Sequence, residues 1–223
     1  MQQTYGNFVR ERFGMLSAGK HMPDGSACAL EAYHLWRGEP WSDRPDTIPD
    51  LRPLNDALWI NDQARTDSLI LVVEALQDWA QWGTPRQVRW VCRVAERTIR
   101  EILPIALKAI GLTRHAQQCR EEGTPAAANA AANAAADTAA TADTAAATYA
   151  ARAAADAATY ATYAAAAVDV YVAVDVYVAV DVYVAAAAYA TARAAAAAAA
   201  RAADIVRLAA VIWLECVVVI PDV

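Results

Sequence analysis

The sequence has no basic region, no long apolar run and no glycine-rich phosphate loop. Its net charge is −6, and residues 125–223 alone carry a formal charge of −5. An acidic surface repels phosphate, so sequence-independent binding of nucleic acid is disfavoured. No stretch reaches the roughly 18 uncharged apolar residues of a spanning helix. The nearest, residues 208–220, is interrupted by Glu215. We therefore expect neither a nucleic-acid partner nor a membrane span.

Cysteine is scarce, and its spacing does not suggest a metal or redox motif. The four cysteines include no Cys-x-x-Cys pair and lie in apolar or helical contexts: Cys28, Cys92, Cys119 and Cys216. This pattern indicates reduced, buried thiols. The first 20 residues contain no apolar segment of the kind that a signal peptide has. These features predict a cytoplasmic protein, and no residue pattern indicates a cofactor.

Glycine and proline are absent from residues 126–220, where alanine, the best helix former, dominates. Thr124 and Pro125 have the pattern of an N-cap followed by proline at the first helical position. Polar residues then recur every four residues, with two steps of three: Asn129, Asn133, Asp137, Thr141, Thr144, Thr148, Arg152, Asp156, Tyr160 and Tyr163. We predict an alanine-rich helical tail over 125–223, with this polar line in water and the alanine sides packed on a neighbour.

Residues 168–184 depart from that pattern. They repeat Val-Asp-Val-Tyr-Val-Ala with valine at every even position, and this alternation favours a strand. The flanking alanine favours a helix, because a lone strand leaves its backbone groups unpaired. Both interpretations stay open. A strand would need a second copy of itself, which would make the block a site of self-association or aggregation. The repeat itself is either selected or a product of replication slippage.

The first 124 residues hold six of the seven tryptophans and contain no convincing strand. The fold class is therefore all-α, with a small helical domain over 1–124 followed by the alanine-rich tail. Four prolines between residues 40 and 53 predict an ordered loop that Trp41 pins to the core. Helices are predicted over residues 8–16, 54–60 and 113–123. Two more are predicted to start at caps, one from Ser26 to Gly38 and one from Thr66 or Asp67 to Gly83. A further helix is predicted from Thr84 to Pro104, where it kinks or ends, and helical residues follow as far as Gly111. The buried stripe of the helix that starts at Thr84 is Val88, Val91, Cys92, Val94, Ala95, Ile99 and Ile102.

A few polar constellations could carry chemistry, though ordinary packing explains each. Glu31 and His34 have the Glu-x-x-His spacing of di-metal helical bundles, without a second copy of the pair. His115 and Cys119 lie one turn apart and could hold zinc with Cys28 or His34.

A hydrolytic triad of Ser26, His34 and Asp43 can also be drawn, without the glycines of a nucleophile elbow. The tryptophans predict a core, with a ligand cage as the alternative. No residue is assigned a catalytic, cofactor-binding or metal-binding role.

Three stretches carry a resemblance: GSACALEAYHLWRGEPWSD, RPLNDALW and IALKAIGLTRHA. With their Cys-x-x-Glu-Ala, Gly-Glu-Pro-Trp-Ser-Asp and Leu-Asn-Asp-Ala motifs, they resemble uncharacterised proteins of high-GC bacteria and their phages that end in an alanine-rich helical tail of variable length. The resemblance covers residues 20 to about 117. It implies an intracellular bacterial or phage setting and no known activity.

These observations favour a non-enzymatic structural or protein-interaction protein that associates with itself through residues 125–223. One alternative is an ice-binding helix, because Thr148 and Thr159 are eleven residues, or three helical turns, apart. Another is an immunity or antitoxin role, which suits a small acidic helical protein. A third is a metal-binding enzyme built on Glu31, His34, His115 and Cys119.

Overall fold

The computed structural model describes residues 3–141, apart from residues 20, 22, 24, 46 and 58, and residues 202–219. The predicted all-α class is confirmed, because these residues form helices and no strand. None of the helices in these ranges is both long and apolar enough to cross a bilayer. The repeat block 168–184 lies outside the described residues. The helices are α1 (Tyr5–Arg12), α2 (Ala29–Trp36), α3 (Arg52–Asn55), α4 (Asp62–Leu76), α5 (Thr84–Arg97), α6 (Leu103–Ala109), α7 (Thr113–Glu122), α8 (Pro125–Ala140) and α9 (Ala202–Val219).

α2 and α4 have N-caps other than the predicted ones. α2 is capped by Cys28 instead of Ser26, since Cys28 Sγ accepts a hydrogen bond from the Glu31 amide at 3.5 Å. α4 is capped by Asn61, whose Oδ1 accepts from the Ala64 amide at 2.7 Å. Thr66 lies within α4, where its hydroxyl accepts from the Leu16 amide at 2.8 Å. Several cap-type residues precede each helix, and tertiary contacts decide which of them starts it.

The ends of three elements also differ from the predictions. α1 ends at Arg12, four residues earlier than predicted, and it begins three residues earlier, because Thr4 caps it by accepting from the Asn7 amide at 3.3 Å. α3 is a single turn that ends at Asn55. α4 ends at Leu76, and a 3₁₀ turn over Trp79–Gln81 follows before Gly83. The last turn of a helix is the part that sequence patterns specify least.

Residues 84–109 form one helical stretch with a π turn over Thr98–Ile102. Pro104 has no amide hydrogen and its ring would clash with the carbonyl four residues earlier, so a widened turn lets the helix continue. Of the predicted kink or end at Pro104, the end is wrong, because helical residues continue through Pro104 to Ala109 and the winding changes over Thr98–Ile102. Within the predicted stripe, Val88 and Cys92 are half-buried, and the other five residues are buried: Val91, Val94, Ala95, Ile99 and Ile102.

The largest core cluster joins the first hundred residues to α9. α9 packs against α4 and α5, and its buried side chains lie in one cluster with those of α1, α2, α4 and α5. The Trp213 ring meets Trp90 edge-on, with centroids 5.1 Å apart, and Trp90 meets Trp79 at 5.2 Å. Arg97 of α5 also pairs with Glu215 of α9 at 2.6 Å. We call α1–α7 together with α9 the helical head. The core thus includes residues from beyond the compositional division at residue 124.

α8 follows the predicted pattern within the described part of the tail. Thr124 Oγ1 caps it by accepting from the Ala127 amide at 3.2 Å. Its alanines are buried against α6, α7 and the π turn: Ala127, Ala128, Ala131, Ala132 and Ala135. Its polar line is exposed: Asn129, Asn133, Asp137 and Thr141. Over residues 125–141, the prediction of a buried alanine side and a solvent-exposed polar side is confirmed.

The corner between α7 and α8 depends on Gly123 and Arg100. The Arg100 guanidinium donates to the carbonyl oxygens of the last three residues of α7 at 2.6–2.9 Å. Gly123 has φ +63°, and a Cβ built on it would overlap Arg100 Nε. We expect Gly123→Ala to lower the free energy of unfolding by about 1–3 kcal/mol in urea titration, from the left-handed backbone and the displaced guanidinium.

Gly25→Ala is the matched control for this substitution. A Cβ built at Gly25 meets no atom within 4 Å, and its φ is not in the left-handed region. The free energy of unfolding should therefore stay within about 0.5 kcal/mol of the wild-type value. Equal losses in the two variants would contradict the role of the corner.

Candidate functional site

Residues of the Leu-Asn-Asp-Ala motif hold the loop that joins α1 to α2, residues 13–28. Asn55 Oδ1 accepts from the Ala29 amide at 3.1 Å, and Asn55 Nδ2 donates to the Ser17 carbonyl at 2.9 Å. Asp56 Oδ1 accepts from the Gly19 amide at 2.7 Å. Asn55 is itself buried. The start of α2 and the middle of the loop are therefore tied to the same turn, α3.

Glu31 holds the same loop from the other side. Its side chain is 0% exposed, and its carboxylate accepts from the His21 amide at 2.8 Å, from His21 Nδ1 at 3.0 Å and from the Cys28 amide at 2.8 Å. The indole of Trp41 donates to the His21 carbonyl at 3.0 Å. His21 is therefore fixed at its amide, its carbonyl and its ring, which leaves the imidazole in one orientation.

The second ring nitrogen of His21 faces a hydroxyl. Ser17 Oγ lies 3.0 Å from His21 Nε2. An ionised carboxylate only accepts, so the Glu31 contact assigns the ring proton to Nδ1, and Nε2 of the neutral ring then accepts from Ser17. The order hydroxyl, imidazole, carboxylate is the one by which a triad activates a serine.

His34 holds a separate loop, residues 39–47, against α2. It is 3% exposed, with Nδ1 2.7 Å from Glu39 Oε2 and Nε2 2.7 Å from the Arg44 carbonyl. Both partners are acceptors, so a doubly protonated ring satisfies both of them. The loop encloses a cleft of about 590 Å³, lined by His34, Glu39, Pro40, Trp41, Ser42, Asp43, Arg44 and Thr47.

The structure separates Glu31 from His34, the first of the predicted pairs. They lie on one helix, but Glu31 binds His21 and Cys28, whereas His34 binds Glu39 and Arg44. A triad of Ser26, His34 and Asp43 would need one His34 nitrogen for the serine and one for the aspartate. Both nitrogens already bind other groups, Glu39 and the Arg44 carbonyl. Sequence spacing put these residues within reach of one another, and the folding of the two loops gave them other partners.

Among the described residues, no third ligand joins His115 and Cys119, the predicted zinc pair. His115 is half-buried, and the Cys119 thiol is buried and donates to the Ala127 carbonyl at 3.6 Å. Burial raises the pKa of Cys119 to about 11, and burial likewise raises that of Cys28 to about 12. Both thiols are therefore protonated at neutral pH in the metal-free protein. Within the described ranges, no three His, Cys, Asp or Glu residues have the arrangement of a metal site.

The predicted ice-binding pair, Thr148 and Thr159, lies outside the described residues. Ser17 and His21, in contrast, were missed by the sequence analysis. The signal that could have found them is the Cys-x-x-Glu spacing at Cys28 and Glu31. A capping box turns the glutamate back over the N-terminus of its helix, and hence toward the loop before it.

The chain matches no family model, no characterised protein and no solved structure. The resemblance to alanine-rich-tail proteins of bacteria and phages therefore remains a prediction. What the site can do follows from its geometry.

Proposed function

We propose that this protein acts by self-association, through helix-to-helix contacts of its alanine-rich segment, with the helical head as an anchor. The observation that carries the proposal is α8, which buries its alanines on α6 and α7 and exposes its polar line. An alanine surface removes little apolar area from water, so such a helix gains stability from packing only where a neighbour lies closely along it.

The head contacts the helices on both sides of the segment. α8 lies on α6 and α7, and α9 lies in the core, so residues 142–201 connect two helices that the head holds. The four-residue spacing that α8 displays continues in their sequence at Thr144, Thr148 and Arg152. A second copy of the chain offers a surface of the same composition and spacing. Small side chains on both partners permit the close approach that alanine helices need.

Replacing residues 142–201 by a Gly/Ser linker of 60 residues tests the proposal. The replacement keeps α8, α9 and the chain length, so the head should fold as before and its thermal midpoint should be unchanged. We expect light scattering to show an oligomer for the wild-type chain and a monomer for the linker variant. A monomeric wild-type chain at all concentrations, or an oligomeric linker variant, would contradict self-association through this segment.

A further inference from the structure

We propose that Ser17, His21 and Glu31 form a nucleophilic site that accepts acyl groups from small esters. The activity goes beyond the proposed self-association, and it replaces the expectation that the protein is not an enzyme. All three residues belong to the helical head, so the site does not use residues 142–201. Ser17 is the nucleophile, His21 is the general base, and Glu31 is a positioning residue.

The geometry meets the two distances that activation of a serine requires. His21 Nε2 lies 3.0 Å from Ser17 Oγ, and His21 Nδ1 lies 3.0 Å from Glu31 Oε2. Both distances are within the reach of a nucleophile–base pair and of the group that orients the base. Glu31 is completely buried, so its negative charge stabilises the imidazolium that forms when His21 takes the serine proton.

The site is open enough for a small ester to reach it. The His21 side chain is 15% exposed and Ser17 is half-buried. Gly19, between them in sequence, has φ +83°, and a Cβ built on it meets no atom within 4 Å. The serine and the imidazole thus lie at the surface beside open space, while their carboxylate is buried.

The site is also held in place before any ligand binds. Asn55 fixes the carbonyl of Ser17, Asp56 fixes the amide of Gly19, and Trp41 fixes the carbonyl of His21. A catalytic constellation must be kept close to its productive geometry by surrounding hydrogen bonds. The hydrogen bonds that hold the loop do not require a serine hydroxyl on Nε2, so Ser17→Ala removes the nucleophile and keeps the contacts that Asn55, Asp56 and Trp41 make with the loop.

The reaction balances without a cofactor. Ser17 Oγ attacks the carbonyl carbon of the ester as its proton passes to His21 Nε2. The bond to the leaving oxygen breaks, His21 returns the proton to that oxygen, and an acyl-serine and an alcohol result. A water molecule then gives a proton to His21 Nε2 and attacks the acyl carbon. The bond from that carbon to Ser17 Oγ breaks, His21 returns the proton to Ser17 Oγ, and the free acid leaves.

A fluorophosphonate probe and p-nitrophenyl acetate test the site in the full-length protein. The probe forms a bond from Ser17 Oγ to phosphorus and releases fluoride, and peptide mass spectrometry should find the label on Ser17. Ser17→Ala should abolish that label and lower the release of p-nitrophenolate by about 100-fold, as should His21→Gln. Ser26→Ala, on the same loop, is the matched control and should keep both activities.

Glu31→Gln separates positioning from support of the loop. We expect a far-downfield proton NMR signal from His21 Nδ1 in the wild type and in Ser17→Ala, and its loss in Glu31→Gln, where the acceptor is neutral. The variant with the Gly/Ser linker should still be labelled on Ser17. The test of the nucleophilic site is therefore independent of the test of self-association. Folded wild-type protein without label on Ser17, or equal ester hydrolysis in Ser17→Ala and Ser26→Ala, would overturn the proposal.

Discussion

Trp213→Ala is expected to lower the free energy of unfolding by about 3–5 kcal/mol, the range for removing a large aromatic side chain from a core. Trp213 is fully buried, and its ring packs edge-on against Trp90, which in turn contacts Trp79. Its carbonyl also accepts from the Trp90 indole at 3.4 Å. The substitution therefore opens a cavity where α9 meets α4 and α5. Urea titration followed by tryptophan fluorescence and circular dichroism measures the loss.

Val211→Ala is the matched control on the same helix. Val211 is 38% exposed, so its truncation should change the free energy of unfolding by less than about 1 kcal/mol. Ending the chain at Arg201 removes α9 altogether and should leave residues 1–201 without a cooperative unfolding transition. A chain that ends there and still melts cooperatively at the wild-type temperature would show that α9 is not part of the core.

Glu31→Ala is expected to have an effect of similar size, about 3–5 kcal/mol. The substitution removes the acceptor of three N–H groups, the amides of His21 and Cys28 and the His21 ring. A buried N–H group without an acceptor destabilises the folded state, because it has lost its hydrogen bond to water and makes none within the protein. The loop before α2 loses its fixed conformation at the same time. Chemical denaturation measures the change in the free energy of unfolding.

Two further variants show whether burial and hydrogen bonding cause that loss. Glu31→Gln keeps a side-chain oxygen and the volume, so it should cost less than the alanine variant. Glu121→Ala removes an exposed carboxylate whose bond is to Gln117, and the free energy of unfolding should stay within about 0.5 kcal/mol of wild type. A loss below 1 kcal/mol in Glu31→Ala would mean that the loop does not depend on the buried carboxylate.

Much of the fold could be predicted because it depends on local chemistry. Thr124 with Pro125 gave the start of α8, and the polar spacing gave its exposed side. Pro104, in contrast, was predicted to kink or end the helix, and the helical stretch continues through it to Ala109 after a π turn. The starts of α2 and α4 could not be read in this way. Ser26 and Cys28 both precede α2 and could cap it. Cys28 is the N-cap because Asn55 binds the Ala29 amide and His21 binds Glu31, which fixes the first turn of the helix.

The sequence held only one signal for the candidate site, the Cys-x-x-Glu spacing of the capping box at Cys28 and Glu31. Glu31 was singled out with His34 because they are three residues apart, yet its partners are His21 and the Cys28 amide. Ser17 and His21 have no motif, and their meeting with Glu31 depends on a loop that Asn55, Asp56 and Trp41 hold from elsewhere in the chain.

The sequence alone determined the all-α class, the capped start of the alanine helix and the separation of its polar and packed sides, because propensity, capping and helical period act over a few residues. Only the tertiary structure decided that α9 completes the core and that His21 lies within hydrogen-bond distance of both Ser17 and Glu31. Both depend on hydrogen bonds and apolar contacts between segments far apart in the chain, whose pairing no local pattern records.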